Sequence, residues 1–118
     1  MDLLVSLDEN YLPQLQVLLA SLCQNCPGET GSVYLLHRSI PRQKLDGLGE
    51  RLKMHGWELC PIPVGESLFS KAPVTKQYPQ EMYYRLLAGH LLPREVNRVL
   101  YLDPDILVLN PLKPLWQL

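Results

Sequence analysis

Short apolar runs alternate with stretches of helical periodicity along the first half of the chain. The runs at residues 3–7, 33–36 and 57–62 have the length and content of buried strands. Between them, residues 11–26 and 42–55 carry leucines three or four positions apart, which is the spacing of one helix face. This order predicts β–α–β crossover units, and therefore an α/β fold with a mostly parallel sheet and helices on its faces.

The second half continues the pattern after an interruption. Pro61 and Pro63 open a stretch that we expect to be irregular to about residue 79. Residues 81–92 are predicted as a third helix and residues 99–102 as a further strand. At 118 residues and 47% hydrophobic content, without a repeat or an interdomain linker, the chain predicts one domain or part of one.

Two aspartates, one residue apart, follow the strand predicted at residues 99–102. Asp103 and Asp105 flank Pro104, and the apolar run 106–109 resumes behind them. Because side chains alternate faces along an extended chain, we expect both carboxylates to point the same way, with Pro104 holding the turn between them rigid. They would repel each other unless a cation or a hydrogen-bond donor lies between them. Mg²⁺ and Mn²⁺ favour such oxygen ligands, with substrate phosphates completing the coordination sphere. The pair therefore predicts a divalent-metal site and a phosphorylated substrate.

A second polar cluster follows the first predicted strand. Asp8, Glu9 and Asn10 come directly after residues 3–7. Ligands bind at the carboxyl ends of the strands in open α/β sheets, so this cluster and the aspartate pair face one crevice if the two strands are neighbours. Asp8 is also a candidate N-cap for the helix that follows, and the two roles are compatible because they use different atoms.

The charge balance disfavours nucleic acid and acidic membrane surfaces as partners. Eleven basic and twelve acidic residues give a net charge of −1, which leaves no basic footprint for a polyanion. The first apolar run is too short for a signal peptide, and no segment approaches the length of a membrane span. We therefore expect a cytoplasmic protein, or one that lies at the inner face of the membrane in a longer form.

The three cysteines are better explained as structural residues than as a disulfide framework. Their number is odd, and Cys23 and Cys26 form a C-x-x-C motif at the end of a predicted helix, whereas redox motifs occur at a helix start. A redox pair or half of a zinc site is the alternative, but no second pair of ligands follows.

Four segments in this order resemble the N-terminal, nucleotide-binding half of glycosyltransferase family 8, the group that includes bacterial lipopolysaccharide galactosyltransferases and glycogenin. The segments are residues 6–11 (SLDENY), 83–86 (YYRL), 98–108 (RVLYLDPDILV) and 112–116 (LKPLW). The resemblance spans the whole chain. It implies a GT-A type, Rossmann-like fold that is incomplete here, with residues 1–118 forming one nucleotide-sugar-binding domain truncated after the D-x-D motif.

The same resemblance implies a retaining transfer of a hexose from a nucleotide diphosphate sugar, usually UDP-linked, to a saccharide or other acceptor, with Mn²⁺ or Mg²⁺ as cofactor. By the family's motif, Asp103 and Asp105 hold the metal and contact the ribose and diphosphate of the donor. The family's third metal ligand is a histidine far downstream, which none of His37, His55 and His90 matches. We expect all three to be packing or surface residues.

The resemblance also implies which residues contact the nucleotide sugar. Asp8, Asn10 and Tyr11 match the pocket for the base and ribose, with Ser6 supplying backbone contacts. Arg85 matches an arginine that reaches the donor, where it could add a charge-assisted contact. The resemblance assigns no residue of this chain as the catalytic group.

Two other functions stay open. A phosphatase of the haloacid dehalogenase type also places a D-x-D after an apolar strand, although there the motif opens the fold and here it comes last. The other alternative is a non-catalytic fragment that binds a nucleotide without turnover. Because a truncated sheet leaves an unpaired edge, we also expect the isolated chain to self-associate.

Overall fold

In a computed structural model, which describes residues 1–64 and 88–118, the chain folds around a four-stranded, all-parallel sheet. The strands are β1 (Asp2–Ser6), β2 (Gly31–His37), β3 (Trp57–Pro63) and β4 (Leu100–Tyr101), in the spatial order β3–β2–β1–β4. The helices are α1 (Leu12–Asn25), α2 (Arg42–Met54), α3 (Ala88–Leu91) and α4 (Lys113–Trp116). A 3₁₀ turn at Glu9–Tyr11 precedes α1.

The order of elements confirms the predicted α/β fold. β1, α1, β2, α2 and β3 follow one another as two crossover units, and each predicted strand and helix of this half lies within about two residues of its observed position. β1 pairs in parallel with β2 from Asp2 beside Ser32 to Ser6 beside Leu36. Among the described residues, no helix is long and apolar enough to span a membrane.

The two faces of the sheet carry separate apolar clusters. On one face, α1 and α2 pack against Leu3 and Val5 of β1 through a row of buried leucines at helical spacing: Leu15, Leu18, Leu22, Leu45, Leu48 and Leu52. On the other face, Leu4 and Leu36 pack with Leu91 of α3. Helices therefore cover both faces, and the alternation of β1 side chains between them fixes its register.

β3 runs one residue beyond its predicted end, to Pro63, and the irregular stretch expected from there to about residue 79 lies outside the described residues from residue 65 onward. β3 is the edge strand of the described sheet, and it pairs in parallel with β2 as far as His37 beside Pro63. The amide of Val64 donates to the carbonyl of His37 at 2.7 Å. Alternate residues therefore point their amides toward β2, whereas the two prolines, which have none, occupy the positions that face the open edge.

The apolar run at residues 106–109 does not form a strand. No ladder forms there among the described residues, and Ile106, Leu107 and Leu109 are exposed while Val108 alone is buried. This segment instead returns along the C-terminal half of α1. Of the third predicted helix, residues 81–92, Ala88–Leu91 are helical, Leu92 forms a bend after them, and residues 81–87 lie outside the described residues.

Candidate functional site

The carboxyl ends of β1 and β4 lie side by side. Leu3 pairs with Leu100 and Leu4 with Tyr101 in a parallel register, and the amide of Leu102 extends this ladder with a 3.0 Å bond to the Leu4 carbonyl. The sequence predicts one crevice for the two polar clusters if the strands before them are neighbours. The structure meets this condition, because β1 and β4 are adjacent. Both polar clusters follow these strands at the same edge of the sheet.

The acidic pair lies in a tight turn at the end of β4. The amide of Ile106 donates to the carbonyl of Asp103 at 3.1 Å, and Pro104 and Asp105 form the middle of the turn. Proline suits the second position of such a turn because its φ angle is fixed near the required value. The predicted turn at Pro104 is therefore present, but the argument from strand alternation does not apply to Asp105, because the chain has already left the extended conformation.

Both carboxylates are accessible to a ligand, since Asp103 and Asp105 are exposed. The described residues contain no group of three or more histidine, cysteine, aspartate or glutamate side chains arranged to hold a metal. Two carboxylates fit the usual way in which Mg²⁺ is held, by one or two protein acids with water and substrate phosphates as the remaining ligands. The donor set is therefore suited to a cation that arrives with a diphosphate.

The cluster after β1 is organised by Asp8. Its Oδ1 accepts a 2.9 Å hydrogen bond from the amide of Asn10, and its carbonyl accepts one from the amide of Tyr11 at 3.2 Å. Asp8 is thus the N-cap of the 3₁₀ turn that precedes α1, whereas α1 itself has Tyr11 at its N-cap position and no side-chain cap. Asn10 is exposed, and so is Tyr11 with 48% of its surface accessible, whereas Ser6 is buried within β1. The turn that follows β1 therefore carries an exposed amide and an exposed aromatic ring.

An ion pair joins this turn to the second helix. Glu9 Oε1 lies 2.9 Å from Lys44 Nζ, and both side chains are about half exposed. Such exposed pairs contribute little to stability, but this one ties the turn to α2 beside a groove of about 480 Å³. Arg85, predicted to reach the donor, lies outside the described residues.

His37 and the three cysteines are packing residues, whereas His55 and His90 lie exposed on the surface. Burial lowers the pKa of His37, and its Nδ1 accepts a 3.2 Å bond from the amide of Ile40, so the ring is neutral and engaged. Burial also raises the pKa of the Cys23, Cys26 and Cys60 thiols, and all three are free. A thiol with a raised pKa is a poor nucleophile at neutral pH, which agrees with the structural interpretation of the cysteines.

Sequence reasoning missed the residues that hold the chain after the acidic turn. Ser21, Asn25 and Glu29, at the end of α1 and just beyond it, bond to the backbone of residues 108–113. These partners are more than 80 positions apart in the sequence. A polar residue on the buried face of α1, Ser21, is the one local signal that could have pointed to them.

With this geometry in place, comparison with known proteins decides the family. The model of the family "Glycosyl transferase family 8" matches residues 2–118. The chain belongs to glycosyl transferase family 8. Two curated family relatives are a candidate glycosyltransferase of Haemophilus influenzae, 25% identical over 100% of this chain, and general stress protein A of Bacillus subtilis, 26% identical over 94%. This family 8 chain spans 36% and 40% of their lengths.

Solved structures support the same family 8 fold. The galactosyltransferase LgtC, in complex with donor and acceptor sugar analogs, matches 100% of this chain with a TM-score of 0.83 and 28% identity, over 42% of its own length. GlyE of Streptococcus pneumoniae matches 99% of this chain with a TM-score of 0.77 and 23% identity, over 26% of its own length. The chain therefore has part of the GT-A fold of these enzymes.

Proposed function

We propose that this chain is the donor-binding part of a metal-dependent glycosyltransferase that moves a hexose from a nucleotide diphosphate sugar, UDP-linked, to a saccharide acceptor with retention of configuration. Membership of family 8 supports the transferase class, and the complex of LgtC with donor and acceptor sugar analogs supports the two kinds of substrate. In this proposal residues 1–118 form one nucleotide-sugar-binding domain.

The observation that carries the proposal is the pairing of β1 with β4. It brings the turn at Glu9–Tyr11 and the turn containing Asp103 and Asp105 to one edge of the sheet. A nucleoside diphosphate offers a base and ribose at one end and a diphosphate at the other. The two turns match these two ends: one presents an aromatic and amide surface, the other two carboxylates suited to a cation.

Each group then has a task that its chemistry permits. Asp103 and Asp105 would hold Mn²⁺ or Mg²⁺ against the diphosphate, where the bound cation supplies Lewis-acid stabilisation of the departing phosphate charge. Tyr11 offers a ring face to the base. Asp8 uses Oδ1 for the cap, and we assign the carboxylate a further contact with the ribose.

Three further groups complete the assignment. We also assign the Asn10 amide and the backbone of Ser6 to contacts with the base and ribose. Arg85 would neutralise donor charge. We assign no catalytic group within this chain.

A calorimetric titration with UDP, with and without Mn²⁺, tests the proposal, with ADP as the matched nucleotide. Tighter binding of UDP in the presence of Mn²⁺ supports it, and absence of binding by either nucleotide diphosphate contradicts it. Incubation with UDP-hexoses then separates a transferase from a fragment that binds without turnover. A phosphatase has no support from the comparisons, since the chain belongs to family 8.

A further inference from the structure

The backbone of Val108 is held on both sides by side chains of α1. Its amide donates to Ser21 Oγ at 2.9 Å, and its carbonyl accepts from Asn25 Nδ2 at 2.7 Å. Val108 is 4% exposed and packs into the main apolar cluster. Three kinds of contact therefore fix this one residue, which lies three positions after Asp105.

The Ser21 hydroxyl is oriented to accept the amide of Val108. Its hydroxyl donates to the carbonyl of Leu18 at 2.7 Å, which orients the oxygen, and the lone pairs then accept the Val108 amide. Ser21 is 6% exposed and lies in the leucine row of α1. Serine is a weaker helix former than alanine, so its presence at a buried helical position is explained by the contact with Val108.

A second set of hydrogen bonds holds the chain a few residues after Val108. The carboxylate of Glu29 accepts the amides of Leu112 and Lys113 at 2.9 and 3.1 Å, one on each oxygen. These are amides at the start of α4, which would otherwise lack partners within the helix. Between these two sets of contacts, the thiol of Cys26 donates to the carbonyl of Asn110, with 3.7 Å between the sulfur and the oxygen.

The residues on either side of the acidic turn are both held by hydrogen bonds to the rest of the fold. On one side Leu102 is bonded to Leu4 of β1, and on the other Val108 is bonded to α1. The five residues between them, 103–107, contain both aspartates. Within this segment Ile106 and Leu107 are exposed and offer little packing to hold it. The ends of the segment therefore set where the carboxylates lie.

We propose that Ser21 and Asn25 are positioning residues for the metal-binding acids, acting through Val108, and that Glu29 secures the chain behind them. This rests on the proposed function, since it assumes that Asp103 and Asp105 hold a cation with the nucleotide. Outer partners that orient the ligands of a metal change its affinity by about 10- to 100-fold when they are removed. Releasing Val108 should therefore weaken the cation-dependent part of nucleotide binding.

The test compares UDP binding with and without Mn²⁺ in the wild type and in the variants Ser21→Ala, Ser21→Thr and Asn25→Ala. Ser21→Ala removes the acceptor and keeps a residue that favours the helix, whereas Ser21→Thr retains the hydroxyl. Gln24→Ala is the matched control, because Gln24 is exposed on the same turn of α1.

We expect Ser21→Ala and Asn25→Ala each to reduce the gain in affinity that Mn²⁺ provides by about tenfold, with little change in the affinity for UDP alone. Ser21→Thr should recover most of this gain, and Gln24→Ala should match the wild type. An unchanged Mn²⁺ gain in both alanine variants would overturn the inference while leaving the proposed function intact. A wild type that shows no Mn²⁺ gain would instead reject the proposed function, and the inference with it. A general loss of folding would lower UDP affinity with and without Mn²⁺ alike, which also counts against a positioning role.

Discussion

The amide of Leu102 donates a 3.0 Å hydrogen bond to the carbonyl of Leu4, which joins the end of β4 to the middle of β1. This bond extends the parallel pairing of the two strands by one residue, up to the position directly before Asp103. As a result, the acids near the end of the chain lie at the same sheet edge as the turn that follows β1. The proposed site depends on this pairing between segments about a hundred residues apart.

The two roles of Asp8 can be separated by substitution. Asp8→Ala removes the oxygen that accepts the Asn10 amide and should lower the free energy of unfolding by about 1 kcal/mol. Asp8→Ser keeps a capping oxygen and should retain most of that stability. If the carboxylate also contacts the ribose, both variants should bind UDP more weakly in calorimetry. Wild-type affinity in Asp8→Ser would leave Asp8 with the capping role alone.

His37 predicts a loss of stability on acidification. Its pKa is lowered by burial, so below the unfolded-state pKa of about 6.5 the unfolded chain takes up a proton that the folded chain does not. This contribution to stability is complete above about pH 6.5 and declines as the pH falls below that value.

The measurement is the thermal midpoint at pH 7.5 and pH 5.5 for the wild type and for His37→Asn. The asparagine oxygen can still accept the Ile40 amide but does not titrate in this range. The wild type should lose more stability between the two pH values than the variant. Equal losses would show that His37 does not control this pH dependence.

Gly31 should not tolerate a side chain. A Cβ atom there would lie 1.7 Å from the carbonyl oxygen of Met1, which accepts the Ser32 amide at 3.0 Å. Gly31→Ala should therefore lower the free energy of unfolding by about 1–3 kcal/mol, measured by urea denaturation. Gly47, inside α2, has open space at the same position, so Gly47→Ala should raise stability by about 0.5–1 kcal/mol. A neutral Gly31→Ala would mean that the first residue moves away without cost.

The prolines of β3 should protect its open edge. Pro61→Val supplies an amide donor at the edge position that now lacks one and should increase association by strand pairing. Size-exclusion chromatography with light scattering measures this, and Pro27→Ala, in the exposed loop after α1, is the control. If Pro61→Val has the same mass distribution as the wild type, the edge is protected by something else. The expected self-association of the wild type is read from the same experiment.

The parts of the fold that were predictable from the sequence are those encoded in local periodicity. The leucine spacing of α1 and α2 and the apolar runs of the first three strands are short-range signals, and the structure has each element close to its predicted position. The apolar run 106–109 shows the limit of such short-range signals. It has the composition of a strand, but no described strand pairs with it. Composition cannot show whether a partner strand exists.

The sequence predicts candidate residues for the site, but not the geometry that holds them. The sequence indicates that Asp103 and Asp105 follow a strand, but the turn that holds them depends on the bond between Ile106 and Asp103. The contact of Ser21 with Val108 joins residues 87 positions apart. Apart from the polar Ser21 on the buried face of α1, such long-range contacts leave no local pattern in the sequence.

The most direct test of the account is the effect of Asp103→Asn with Asp105→Asn on the binding of UDP in the presence of Mn²⁺, measured by calorimetry. Asp46→Asn, which removes an exposed acid on α2, is the matched control for the loss of charge. The account predicts that the wild type and Asp46→Asn bind UDP at least about tenfold more tightly with Mn²⁺ than without it, and that the double variant loses this difference. An equal gain from Mn²⁺ in the double variant would contradict the account, because the cation would then bind without the two aspartates.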